Sequence, residues 1–127
     1  MKTYLELPMK LAGFGIGHEI TQNDLSDFYD DDGAFGCTDL IRFDPEVSLV
    51  ICDGKVVSIS VADECWVGDF AIMGSAIQSV LSRLGLEVIE KEGSEVEIWT
   101  ASGGLELYVR DGVVTRVCLS DWSLIKD

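Results

Sequence analysis

Apolar and polar residues alternate along most of this chain, and a helical period interrupts the alternation in only two places. Strand-like alternation marks residues 2–7, 39–44, 47–52, 55–62, 86–91, 95–100, 104–110 and 113–120. Thr21 stands where an N-cap belongs for a helix over 22–30, with Asp24 near its positive end. Leu25, Phe28 and Tyr29 would form the inward stripe of that helix. Ser75 is placed to cap a second helix, in which Ile77, Val80, Leu81 and Leu84 recur at helical spacing before Gly85 ends it. The order strand, helix, three strands, helix, four strands predicts an α+β fold, with antiparallel β-meanders and two helices covering one side.

The turn residues sharpen this picture. Asp53-Gly54 and Asp111-Gly112 each close a hairpin, while Gly13, Gly15 and Gly17 predict a flexible turn near the start. The alternation predicts a three-residue loop with Gly54 at its left-handed position, pairing Leu49 with Val57 and Val47 with Ile59. The same register in the second hairpin pairs Leu107 with Thr115 and Leu105 with Val117. Val47, Leu49, Ile51, Val57, Ile59 and Val61 then share one buried face.

The two hairpins also resemble each other. Residues 47–63 align without a gap on residues 105–121, and five of the 17 pairs are identical: Leu49/Leu107, Asp53/Asp111, Gly54/Gly112, Val56/Val114 and Asp63/Asp121. Turn chemistry and alternation force some likeness on any two Asp-Gly hairpins, but this much points to an internal repeat. The length predicts a single domain over residues 1–127, with repeats at about 14–63 and 73–121.

Charge narrows the partners. The 23 Asp and Glu residues outnumber nine Lys and Arg residues, for a formal net charge of −14. That surplus repels nucleic acid and anionic membranes and favours either solubility or a basic partner. A hydrophobic share of 47% is ordinary for a globular chain, so the acidity does not signal disorder. Cys37, Cys52, Cys65 and Cys118 lack metal-like spacing and read as reduced, buried thiols. The opening MKTYLELPMKLAG has no signal-peptide pattern, and the expected location is the cytoplasm.

Few residues suggest catalysis. His18 is the single histidine and sits among glycines, with no nucleophile motif to serve. Asp30, Asp31, Asp32 and Gly33 suggest calcium, but Ala34 and Ile41 occupy positions where an EF-hand loop needs ligands. Zinc and phosphate-binding loops find no support either. The expectation is a chain with no catalytic residues, no metal and no cofactor.

Acidity interleaved with aromatics remains. In a first cluster, Asp24, Asp27, Asp30, Asp31 and Asp32 accompany Tyr29, and on the predicted helix Asp24, Asp27 and Asp31 form one stripe. A second cluster, in the linker between the repeats, holds Asp63, Glu64, Trp66 and Asp69. Trp66 reads either as an interface anchor or as a core residue with its N–H satisfied. These ten residues are the candidate partner-binding set. A third group, Glu87, Glu90, Glu92, Glu95 and Glu97, reads as solvent-facing residues of a hairpin.

The segment FGIGHEITQNDL and the stretch DGKVVSISVADECWVGDFAIMGSAI, in a small acidic chain, resemble immunity proteins of bacterial toxin–immunity systems of the contact-dependent growth inhibition type. That resemblance implies a non-enzymatic inhibitor that binds a cognate basic toxin, such as a nuclease, and masks its active site. The duplicated layout is also similar to the β-lactamase inhibitory protein and to Whirly-type sheets. Whirly proteins bind single-stranded nucleic acid, which the charge of −14 argues against here. The alternative from another class is a small-molecule-binding or regulatory α+β domain.

Overall fold

Two Asp-Gly turns organise the molecule. Asp53 and Gly54 take φ of +53° and +76°, and Asp111 and Gly112 take +53° and +80°. Positive φ at both central residues is the type I′ geometry, whose twist matches that of the strands it joins. The loops therefore contain two residues, closed by Cys52 opposite Lys55 and by Arg110 opposite Val113. The expected three-residue loop and its register are corrected accordingly. Leu49 pairs with Ile59 and Val47 with Val61, and in the second hairpin Leu107 pairs with Val117 and Leu105 with Leu119.

The extra residue sits beyond the turn, in a bulge. Pairing passes from Val50–Ser58 to Ile51–Val56, and from Tyr108–Arg116 to Val109–Val114, which skips Val57 and Thr115. The bulge also changes which valine faces the main core. Val56 joins the core cluster, whereas Val57, though fully buried, lies outside it.

The computed structural model describes residues 3–6, 10–20, 25–31, 37–43, 46–88, 90–92, 95–100 and 103–124. In chain order the first strands are β1 (Leu5–Glu6), β2 (Lys10–Leu11), β3 (Phe14–Gly15), β4 (Tyr29–Asp31), β5 (Thr38–Arg42), β6 (Val47–Cys52) and β7 (Lys55–Val61). They are followed by β8 (Trp66–Val67), β9 (Phe70–Ala71) and the helix α1 (Ile77–Leu84). The chain continues through β10 (Glu90–Glu92), β11 (Glu95–Thr100), β12 (Gly103–Arg110) and β13 (Val113–Ser120) to a 3-10 turn at Trp122–Leu124. Eight strands form one antiparallel sheet in the order β10-β11-β12-β13-β7-β6-β5-β4, and β1-β2-β3 and β8-β9 form two small sheets.

The fold is mainly β, which corrects the expected α+β class with two helices. The predicted helix over 22–30 does not hold across the described part of that segment. One turn closes from Phe28 N–H to the Leu25 carbonyl at 3.0 Å, and Tyr29–Asp31 then forms an edge strand on β5. Leu25, Phe28 and Tyr29 fit a helical stripe, but pairing of Tyr29 with Ile41 overrides that local spacing. The second helix is present as α1, with Val80 and Leu81 buried and Gly85 ending it in the left-handed region at φ +66°. Its N-cap is Ala76, because the Ser75 hydroxyl donates instead to the Ala71 carbonyl at 2.6 Å. The glycine-rich opening is no loose turn. Ala12 and Gly13, both at positive φ, close the β2–β3 hairpin.

The sheet is two four-stranded meanders joined at β7 and β13. There Val61 pairs with Val117, Ser60 with Cys118, Ile59 with Leu119 and Ser58 with Ser120. Ser60 and Cys118 occupy matching positions of the two hairpins, so a pseudo-two-fold axis passes through that pair. The supporting backbone bonds repeat as well. Gly17 N–H donates to Val56 O, Val56 N–H to His18 O and Ile20 N–H to Gly54 O. In the other half Gly74 N–H donates to Val114 O, Val114 N–H to Ser75 O and Ile77 N–H to Gly112 O.

One face of the sheet makes the core. Val47, Leu49, Ile59, Val61, Leu105, Leu107, Val117 and Leu119 are buried there beneath Leu5, Leu11, Ile16, Ile72, Val80 and Leu81 of the small sheets and α1. Each such side chain contributes about 1.5–3 kcal/mol by leaving water.

Two cysteines are not thiols. Thr38 pairs with Ile51, which brings Cys37 opposite Cys52 with Cα atoms 4.4 Å apart, and the two form a disulfide. The expectation of four reduced thiols fails because only the strand register brings together residues 15 apart in sequence. Cys65 and Cys118 keep their thiols. Among the described residues, no helix is long and apolar enough to cross a membrane.

Two measurements check this architecture. Gly54→Val and Gly112→Val should each cost about 1–2 kcal/mol in urea unfolding. The cost is backbone strain, since a Cβ at either site meets nothing within 4 Å. If one turn tolerates valine freely, the two are not equivalent. Denatured, unreduced protein should titrate two thiols, and Cys37→Ser with Cys52→Ser should lower stability by about 3 kcal/mol. Four titrating thiols would contradict the disulfide.

Candidate interaction surface

The two faces of the eight-stranded sheet have different duties. The inner face is committed to the core, and the outer face carries residues that folding does not require to be apolar. The register traces one continuous row across it. Glu90 lies opposite Glu97, Glu97 opposite Glu106, Glu106 opposite Cys118 and Cys118 opposite Ser60. The row continues from Ser60 to Ser48, from Ser48 to Ile41 and from Ile41 to Tyr29. All eight strands contribute one residue each, spanning about 34 Å at normal strand spacing.

The row is acidic at one end, small in the middle and apolar at the other. Glutamates stand at neighbouring positions of β10, β11 and β12, as the pairs Glu90–Glu97 and Glu97–Glu106, and Glu92 opposite Glu95 adds a third like-charged pair. Like charges directly opposite on neighbouring strands destabilise a sheet by roughly 0.2–1 kcal/mol per pair. Arg116, on the same face of β13, is engaged toward the middle of the sheet. Its Nη1 donates to Ser60 Oγ at 2.7 Å and its Nη2 meets Glu46 Oε2 at 3.2 Å. Tyr108 is exposed on β12 beside these acids.

The candidate residues from the sequence scatter. Asp24 and Asp32 lie outside the described residues. Asp27 is exposed, but the helical stripe joining it to Asp24 and Asp31 does not exist, because Asp31 belongs to strand β4. Tyr29 and Asp31 sit at outer-face positions of that edge strand, and Asp30 stands opposite the buried Leu40. Asp63 and Glu64 serve the fold. Asp63 Oδ2 accepts the Glu46 N–H at 2.6 Å, and Glu64 Oε1 accepts the Thr3 N–H at 3.0 Å. Trp66 is half-buried on the β8–β9 hairpin, and its backbone N–H donates to the Thr3 carbonyl at 2.8 Å. Asp69 lies 3.7 Å from Arg83, whose guanidinium stacks 5.2 Å over Phe70. Among the described candidates, Tyr29 and Asp31 are therefore the two that hold outer-face positions of the sheet. Glu106 was missed, and only the Gly103–Thr100 pairing that aligns it with Glu97 could have revealed it.

Other chemistry is sparse among the described residues. No three His, Cys, Asp or Glu residues are grouped to hold a metal. His18 packs its ring onto Gly15, where a Cβ would lie 2.4 Å from Nδ1. A groove of about 430 Å³ between Phe70 and the outer side of α1 is open, and a hollow of about 150 Å³ lies by His18 and Glu19. Burial, with help from the Glu64 charge, pushes the Cys65 thiol up to about 12 against a backbone hydrogen bond that lowers it. Such a thiol is protonated and inert near neutral pH.

Comparison of the chain with protein-family models, with curated proteins and with solved structures finds no match in any of the three.

If the acid row is held at a cost, removing one charge should help folding. Glu97→Gln, in the middle of the row, should stabilise the protein by about 0.2–1 kcal/mol at low salt. The gain should shrink at high salt as the repulsion is screened. A destabilised Glu97→Gln protein would mean that the carboxylate serves the fold.

Proposed function

We propose that this protein is a non-enzymatic inhibitor that binds a basic protein partner, as an immunity protein binds a nuclease toxin, and masks the partner's active site. The observation that carries the reading is the register that sets Glu90, Glu97 and Glu106 at neighbouring positions of β10, β11 and β12. Lys or Arg side chains of a partner would be complementary to glutamates at those positions. The net charge of −14 supports the same partner class, because it speeds encounter with a positive surface and resists nucleic acid. Toxin active sites that handle phosphates are positive, so a carboxylate row can take the place of the substrate's charge.

This reading expects the cytoplasm, whereas the Cys37–Cys52 disulfide is a bond that oxidising compartments preserve. Recovery of an intact disulfide from cells would move the site of action to an oxidising compartment.

Co-expression with the toxic domain encoded beside this chain should restore growth. The purified pair should associate at a rate that falls by about tenfold or more between low and high salt. Charge-neutralising Glu97→Gln with Glu106→Gln should slow association while the protein remains folded. A neighbouring toxin that this chain neither binds nor silences, or the absence of any such neighbour, overturns the reading.

A further inference from the structure

One half of the sheet carries a covalent tie that its counterpart position in the other half lacks. Cys52 ends β6 and Cys37 immediately precedes β5, so their disulfide crosses between the two strands. In the alignment of the two hairpins Arg110 stands where Cys52 does, and β12 still pairs with both β11 and β13. A meander of this design therefore forms without a crosslink at that position. The strand that the bond holds has little else to fix it. Of the five residues of β5 only Leu40 is fully buried, whereas β7 buries five of its seven, and a strand with so little apolar burial has a weakly specified register. Beyond β5 lies only β4, which is three residues long. The Cα atoms of Cys37 and Cys52 are 4.4 Å apart, the spacing of a cross-strand pair that exchanges no ladder hydrogen bonds. The disulfide joins the strands where the ladder does not.

From this placement we infer that the Cys37–Cys52 disulfide is a redox latch on the sheet edge, which holds β5 and β4 on β6 when closed and releases them when a dithiol reductant opens it. The inference stands independently of the partner class proposed above. Cys52 is 5% exposed on the hairpin side, and Cys37 is the more open of the two. A thiolate of the reductant attacks the Cys37 sulfur, forming a mixed disulfide and releasing Cys52 as a thiolate that takes up a proton. The second thiol of the reductant then attacks the mixed disulfide, Cys37 leaves and is protonated, and the reductant departs as its own disulfide. Two electrons and two protons pass to the protein. The inner strands keep their places, because Ile59, Val61, Val117 and Leu119 remain anchored in the core. The edge that the latch governs carries an exposed aromatic pair. Tyr29 and Phe43 are 66% and 57% exposed, with ring centroids 6.4 Å apart. Tyr29 belongs to β4 and Phe43 follows β5, so the two rings form one patch only while both strands are held.

Amide hydrogen exchange on the folded protein, followed by NMR before and after treatment with dithiothreitol, tests the latch. Opening the bond should speed exchange of the amides of Tyr29–Asp31 and Thr38–Arg42 by about tenfold or more. The amides of Lys55–Val61 and Val113–Ser120 should exchange as before. Reoxidation with oxidised glutathione should restore the slow rates. Cys52→Ser, which cannot form the bond, should show the fast edge exchange without any reductant. Edge exchange that is equal with the bond open and closed overturns the latch. So does acceleration that extends through β7 and β13, which would make the bond a staple of the whole fold. A bond that dithiothreitol opens only after the protein is denatured overturns it as well.

Discussion

Everything in this structure depends on how β7 pairs with β13. That antiparallel contact joins two four-stranded meanders into one eight-stranded sheet, and its register places Ser60 opposite its own counterpart, Cys118. A shift by one residue would set the apolar residues of one strand, Ile59 and Val61 or Val117 and Leu119, on the face opposite to those of the other. The inner face would then lose its apolar continuity. With the register as it stands, the outer face is aligned across all eight strands, and the glutamates of β10, β11 and β12 fall into one row.

The same symmetry explains why the outer face is the informative one. On the inner face the two halves remain alike, Leu49 matching Leu107 and Val56 matching Val114, because both must fill the same core. On the outer face that requirement is absent. There the halves have diverged in opposite directions, toward glutamate in one and toward tyrosine, isoleucine and phenylalanine in the other.

Much of the sheet was legible in the sequence. Asp53-Gly54 and Asp111-Gly112 announced their hairpins, and the alternation around them picked out core residues except at Val57, whose place in the core cluster Val56 takes. Their register was misjudged by two residues because the bulges at Val57 and Thr115 leave no local mark. The helix expected at 22–30 failed for a different reason. Leu25, Phe28 and Tyr29 satisfy a helical period, but Tyr29 is claimed by pairing with a strand that follows it. The disulfide was invisible along the chain, and of the acid row only Glu90 and Glu97 were read, as residues of a hairpin, since Glu106 joins them only through register across strands. Asp63, Glu64 and Asp69 looked available for a partner, yet each already holds a local contact.

The central claim is that a basic partner is received on the outer face of this sheet. Titrating isotope-labelled protein with an arginine-rich peptide while following its backbone amide resonances tests that claim directly. The account predicts shifts centred on β10, β11 and β12 and extending to β4 and β5, with α1 and the β8–β9 hairpin unmoved. Shifts centred on α1 or the β8–β9 hairpin, with the eight-stranded sheet unaffected, would contradict it.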